Sequence, residues 1–237
     1  MDSRLIRESV AEFLGTFMLV FVGAGAVTLL GQQATKVGAD VVVAALAHGF
    51  ILVAIIFTFG HISGAHVNPA VTLGLLVGGK VSMVKAIAYW VAQIVGGIVA
   101  ALVLRYIFPS SPTLGNTLPT GMFSGQIIVL EALGTFFLVS IVFQAAVHGK
   151  AGNLAGLAIP LTLAGAILFI GPLTGASFNV ARTLGPALVT GNLTELLSYL
   201  VGILGGGALA GVLHTSYFVD EPASTSSASP VLTKRRK

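Results

Sequence analysis

Residues 61–72 read His61-Ile-Ser-Gly-Ala-His-Val-Asn-Pro-Ala-Val-Thr72, inside a stretch, 41–79, that carries no Asp, Glu, Lys or Arg. Asn68 stands where a helix N-cap belongs, and Pro69 fills the first helical position, whose missing N–H would have had no partner. The pattern predicts a short helix starting at Pro69. A charge-free stretch of 39 residues is too long for one membrane span, which uses about 20. It therefore holds one span plus chain that stays at membrane depth, and irregular backbone is tolerated there only where it lines a cavity. A second over-long run, 151–181, leads into an echo of the first: Gly175-Ala-Ser-Phe-Asn-Val-Ala-Arg-Thr183 against Gly64-Ala-His-Val-Asn-Pro-Ala-Val-Thr72.

Composition agrees with a membrane reading. Of 237 residues, 55% are apolar and 8% charged, against about 25% charged in a soluble domain; mean hydropathy is +0.98. A water-soluble globule, a disordered chain and a collagen are all excluded. The gaps between charges predict six full helices at about 10–30, 40–59, 82–106, 126–147, 154–171 and 196–218, with the two over-long runs each adding a re-entrant segment. Six spans put both termini on one side. Arg4, Arg7, Lys80, Lys85, Lys150 and the run Lys234 to Lys237 then share that side against Lys36 and Arg105, and the positive-inside rule makes it cytoplasmic. Residues 219–237 read as a disordered cytoplasmic tail. There is no Cys, the five His show no metal-ligand spacing, and no nucleophile, base and orienting group converge, so neither an enzyme, a metal, a cofactor nor a nucleic-acid partner is expected.

A longer repeat frames these motifs. Glu12-Phe-Leu-Gly-Thr-Phe recurs as Glu131-Ala-Leu-Gly-Thr-Phe, dividing one channel-like domain, 1–218, into repeats of about 8–107 and 126–218. With three spans in each, the copies cross the membrane in opposite senses: an all-α membrane protein with an inverted 3+3 repeat. Two half-helices of about ten residues would each cross about 15 Å, and their N-termini, each carrying roughly half a positive charge, would meet near the midplane. That arrangement disfavours cations and spares neutral molecules. Asn68 and Asn179 can cap with the side-chain oxygen while the NH₂ donates into the lumen, and the backbone before each (Gly64, Ala65, His66, Val67; Gly175, Ala176, Ser177, Phe178) would offer carbonyl acceptors.

The 61–72 motif, its echo at Asn179 and the paired Glu-x-x-Gly-Thr-Phe motifs resemble the major intrinsic protein family, the aquaporins and aquaglyceroporins, over residues 8–218. The resemblance implies a passive channel for water, with small neutral solutes such as ammonia, urea, hydrogen peroxide or glycerol, and a homotetramer in the lipid bilayer; the cell membrane is preferred over an organelle membrane. It assigns the pore signatures to Asn68, Pro69, Ala70 and Asn179, Val180, Ala181, the second departing from Asn-Pro-Ala. It assigns a constriction of His48, Ile167, Ala176 and Arg182, a set similar to plant vacuolar-type filters, and loop support to Glu12 and Glu131. An intramembrane Arg costs about 2.5–3.5 kcal/mol even on lenient scales, so Arg182 is expected to face a wet cavity. Tyr89, Trp90, Tyr106, Tyr199 and Tyr217 read as interfacial anchors and His148 and His214 as interfacial. Gly202/Gly206 and Gly207/Gly211 read as close helix contacts. A coupled transporter and a junctional scaffold are the rival classes.

Overall fold

The computed structural model describes residues 2–32 and 39–218; Lys36 and the expected tail, 219–237, lie outside them. The described residues form α1 Ser3–Gln32, α2 Ala39–Ser63, α3 Pro69–Val77, α4 Met83–Ile107, α5 Ser124–Ile141, α6 Ala155–Thr174, α7 Val180–Thr190 and α8 Leu196–Ser216. A π-helical turn, Val142–Val147, prolongs α5, and a 3-10 turn, Gly152–Leu154, leads into α6. Six of these helical segments are long and apolar enough to cross a membrane. The other two, α3 and α7, are half-length, as the caps at Asn68 and Asn179 predict.

Two boundaries differ from expectation, each for a physical reason. Helix α1 begins at Ser3 rather than near residue 10, because its buried acid Glu8 is paired: Arg4 Nε lies 2.9 Å and Lys85 Nζ 3.0 Å from the Glu8 carboxylate. Helix α2 runs on to Ser63, stopping only where Gly64 turns to φ +90°.

The full helices form an arc in which α4 packs on α1, α1 on α2, α2 on α6, α6 on α5 and α5 on α8; the half-helices α3 and α7, each touching α4 and α8, bridge its ends. The half-helices do not sit mainly on their own repeat: α3 packs chiefly on α8, and α7 on α4. Glycines make this seating possible. A Cβ at Gly207 would come within 2.6 Å of the Ala70 carbonyl oxygen, one at Gly97 within 2.5 Å of that of Ala181, and one at Gly202 within 2.6 Å of that of Ile128. Helix α8 thus uses one glycine face, Gly202 and Gly206, against α5, and the other, Gly207 and Gly211, against α3.

Side chains expected at the membrane interface turn out to be internal. Tyr89 and Tyr199 are fully buried; Tyr89 donates to the Ser63 carbonyl at 2.8 Å, and Tyr199 to that of Thr174. Trp90 donates to the Pro69 carbonyl at 3.0 Å. His214 is buried, stacked on Phe143 and bonded to Gln144 at 3.0 Å. Only Tyr106 and Tyr217 are largely exposed. At the far end, Glu195 accepts from Ser124 and Ser198, which holds its carboxyl below the usual carboxylate range.

Candidate functional site

Between each full helix and the half-helix that follows it, four residues take a conformation that L-residues avoid. Ala65 (φ 48°), Val67 (φ 42°), Ala176 (φ 44°) and Phe178 (φ 54°) are left-handed, next to Gly64 and Gly175 at φ 90° and 80°. For a β-branched residue such as Val67 this is a real outlier, and strain of that kind persists only where the surroundings fix it. They do. Glu12, fully buried, accepts from the N–H groups of His66 (2.9 Å) and Val67 (2.7 Å) and from the Ser63 hydroxyl and Gln93 amide, both at 2.7 Å. Glu131, also fully buried, accepts from the N–H groups of Ser177 (3.1 Å) and Phe178 (2.8 Å) and the Thr174 hydroxyl (2.7 Å). The two halves repeat this clamp almost bond for bond.

The loops bring Asn68 and Asn179 together. Asn68 Oδ1 accepts from the Ala70 N–H at 2.9 Å, and Asn179 Oδ1 from those of Ala181 and Arg182 at 2.9 and 3.3 Å. The amide NH₂ groups reach across to the other repeat: Asn68 Nδ2 donates to the Phe178 carbonyl at 2.7 Å, and Asn179 Nδ2 to the Val67 carbonyl at 2.8 Å. This amends the sequence expectation. Each NH₂ has two protons, and one of them locks the motifs together, leaving the other; the carbonyls of Val67 and Phe178 each give one lone pair to that lock.

Two cavities open on either side of this junction. One, about 520 Å³, is lined by Gly64 to Asn68 together with His61; the other, about 600 Å³, by His48, Ile167, Gly175 and Ala176. A single stripe of α2 (Val41, Ala44, His48, then Leu52, Ile56, Gly60) lines first one cavity and then the other, as does a stripe of α6 (Ile159, Leu163, then Ile167, Gly171). The i, i+4 spacing keeps each stripe on one helix face.

The four expected constriction residues are all buried: His48 4%, Ile167 3%, Ala176 2% and Arg182 2% exposed. Gly23 makes room for His48, since a Cβ there would strike its ring. His48 Nδ1 lies 2.8 Å from the Ala44 carbonyl. A carbonyl only accepts, so Nδ1 carries the proton and Nε2 is left with its lone pair; no hydrogen-bond partner reaches Nε2 among the described residues. Arg182 Nη1 donates to the Gly115 carbonyl at 2.7 Å, while its Nε–H is likewise without a partner. Both unpartnered atoms are themselves buried, His48 Nε2 lying against Gly23 of α1.

Sequence reasoning missed the segment that positions Arg182. Residues 114–117 fold inward: Gly115 meets the guanidinium, Thr117 Oγ1 lies 3.1 Å from Thr183 Oγ1, which bonds Ser177, and Asn116 Nδ2 donates to the Asn192 carbonyl at 3.0 Å. Gly115, at φ +67° and tight against the α1 backbone, makes this approach possible, and no pattern in the sequence marks it.

Val180 occupies the position that Pro69 holds in the first motif, at the start of α7. It is buried beside Ala70, Tyr199 and Ile203, and its extra N–H donates to no acceptor among the described residues. Asn179, at φ −150°, ψ 115°, already has the extended backbone that a following proline imposes. Val180→Pro is therefore expected to raise stability by about 0.4–1 kcal/mol, by removing an orphan donor and restricting the unfolded chain. Thermal unfolding in detergent would show it as a midpoint about 1–4 °C higher; a lower midpoint would mean that the isopropyl packing outweighs the backbone gain.

Among known proteins, the family model described as "Major intrinsic protein" matches residues 1–214. The chain is 37% identical over 235 residues to "Probable aquaporin TIP2-2" of Arabidopsis thaliana, covering 95% of this chain and 93% of that one. It is 40% identical over 225 residues to "Aquaporin TIP2-3" of Zea mays, covering 90% and 88%. The fold superposes on the X-ray structure of the aquaglyceroporin from Plasmodium falciparum with a TM-score of 0.77 at 25% identity, over 90% of this chain and 97% of that one. Crossed asparagine caps, paired buried glutamates and full-length matches agree: the chain belongs to the major intrinsic protein family.

Proposed function

We propose that the chain is a passive membrane channel for water and for neutral solutes slightly larger than water, closed to protons and ions. The observation that carries this is the pair of cavities joined by single stripes of α2 and α6 across the Asn68–Asn179 junction. Two half-helices start there, so positive helix ends face a permeant from both sides and repel cations. The second proton of each amide binds a permeant oxygen in the lumen. Backbone carbonyls of residues 64–67 and 175–178 accept from it, because Glu12 and Glu131 have already drawn the neighbouring N–H groups to the other side.

The constriction selects by hydrogen-bonding pattern as well as by size. Arg182 Nη2 donates, the carbonyls of residues 175–178 accept, and His48, Ile167 and Ala176 form the wall. Water, ammonia, urea and hydrogen peroxide each present both a donor and an acceptor. The relatives carry aquaporin names, and Ile167 and Ala176 leave more room than aromatic side chains would.

Stopped-flow light scattering on proteoliposomes is expected to show osmotic water flow of low activation energy without proton conductance. Ile167→His combined with His48→Phe narrows the constriction and should lower urea uptake while water flow stays. Saturable, gradient-coupled uptake in place of osmotic flow would replace this reading with a carrier, and unchanged urea uptake in the double variant would remove the constriction from those residues.

The assembly is a homotetramer with a pore in each subunit, by analogy with the family. Both termini face the cytoplasm with Arg4, Arg7, Lys80, Lys85 and Lys150. The TIP-type relatives, together with filter residues similar to the vacuolar class, weigh an organelle membrane above the cell membrane read from the sequence alone.

A further inference from the structure

Helix α1, like α2 and α6, presents a stripe to the lumen, and its stripe has a gap. Leu19 lines the cavity beside His61, and Val27, Leu30 and Gly31 line the cavity beside His48. Position 23, four residues from Leu19 and four from Val27, falls on the same face, between the two cavities. It is Gly23, buried and without a side chain. The space is filled from the neighbouring helix. A Cβ at Gly23 would lie 2.5 Å from Cδ2 and 2.7 Å from Cε1 of His48, and nearer still to Nε2, where unstrained carbon contacts begin at about 3.5 Å. The ring is thus drawn back into α1. Its other nitrogen is held by the Ala44 carbonyl at 2.8 Å, and His48 is only 4% exposed although it lines the cavity.

Two observations separate this glycine from those that let helices approach. At Gly97, Gly202 and Gly207 the atom nearest to an added Cβ is a backbone carbonyl oxygen, whereas at Gly23 all three nearest atoms belong to the His48 ring. The inverted repeat supplies the second. Counting from Glu12 and Glu131, Gly23 corresponds to Val142; counting from Asn68 and Asn179, His48 corresponds to Ile159. Val142 and Ile159 both line the cavity beside His61, so at the matching place in the other half the fold accommodates two aliphatic side chains. The architecture makes no demand for glycine here; the ring of His48 does.

We propose that Gly23 sets the aperture of the constriction, by giving the His48 ring a recess in α1 that keeps it out of the path of solutes larger than water; this rests on the channel reading above. An alanine at position 23 is itself favoured in a helix, and the atoms closest to its methyl group are those of that one ring. His48 must then turn about its side-chain torsions. With α1 behind it, the open space that receives it is the cavity it lines. Gly23 is therefore a positioning residue: with no side chain of its own in the lumen, it fixes through His48 what the lumen admits.

Stopped-flow measurements on proteoliposomes, with osmotic and urea gradients in parallel, test this. Gly23→Ala is expected to lower urea uptake about tenfold or more, the effect of one methyl group in a tight site, while water flow falls less than about threefold. Gly23→Ala combined with His48→Ala, in which the ring is gone, should return urea uptake to the wild-type level or above; a packing defect in α1 would not be mended by a second truncation. Gly25→Ala on the same helix, whose Cβ would meet Leu104 at 3.2 Å, should leave both flows as in wild type. Unchanged urea uptake in Gly23→Ala, an equal loss in Gly25→Ala, or no rescue by His48→Ala overturns the recess. Should Gly23→Ala not fold, the double variant must still fold and conduct urea, and its failure has the same meaning. The underlying reading fails separately, if wild type passes no urea or if His48→Ala alone leaves urea uptake unchanged.

Discussion

Glu131→Ala is expected to yield no folded channel. The carboxylate satisfies three buried donors, the Thr174 hydroxyl and the N–H groups of Ser177 and Phe178, and each buried donor left without a partner costs about 1–3 kcal/mol. The sum rivals the whole margin of a typical domain, about 5–15 kcal/mol, before any release of the left-handed strain at Ala176 and Phe178 is counted. Glu131→Gln separates charge from connectivity: it keeps one acceptor oxygen but turns an NH₂ toward donors, so a lower unfolding midpoint and reduced water flow are expected in place of complete loss. Glu12→Ala should be milder per bond, because two of its four donors, Ser63 and Gln93, are side chains that can turn elsewhere. Size-exclusion profiles and thermal midpoints in detergent measure this series; a wild-type midpoint for Glu131→Ala would refute the clamp.

Arg182→Ala is expected to have the largest effect on selectivity. A second cation passing about 4 Å from the guanidinium meets a barrier of about 4 kcal/mol at an effective dielectric near 20, equivalent to about three orders of magnitude in rate. Its removal should raise proton and ammonium conductance by up to that factor from a low base. The volume it vacates should raise urea and glycerol flux about tenfold, while water flow, already fast, changes less than about twofold. Proteoliposomes carrying an internal pH dye, assayed with parallel solute gradients, give all three readings. If conductance stays at the wild-type level, exclusion of cations resides wholly at the Asn68–Asn179 junction. The Gly115 carbonyl, relieved of its donor, should leave the fold otherwise intact.

Much of this architecture was legible because membrane chains advertise it by omission. Charge gaps located the spans, and the two gaps of the wrong length located the re-entrant loops; the caps at Asn68 and Asn179 followed from chemistry that a single residue can announce, and the supporting role of Glu12 and Glu131 from the family resemblance. What stayed hidden depends on partners distant in the chain. Tyr89 and Tyr199 sit near helix ends like interfacial anchors, and only the fold shows Ser63 and Thr174 waiting for their hydroxyls. Arg4 and Glu8 fall outside a helix read as starting near residue 10, yet the ion pairs of Arg4 and Lys85 with Glu8 carry the helix through them. The amide protons crossing to Phe178 and Val67 link residues 110 and 112 positions apart, and the carbonyl of Gly115 on Arg182 is a backbone contact that no side-chain pattern encodes. The π-helical turn at Val142–Val147 had no sequence signal at all.

The exchange of half-helices between repeats also governs how the polypeptide is made. Since α3 rests on α8 and α7 on α4, the first short helix emerges from the ribosome long before its seat has been translated. It can lean on α4 and then α5, but its main seat is missing until α8 is inserted. Biogenesis is therefore committed only at its final step, and a nascent chain arrested before α8 would have no completed pore through which to leak.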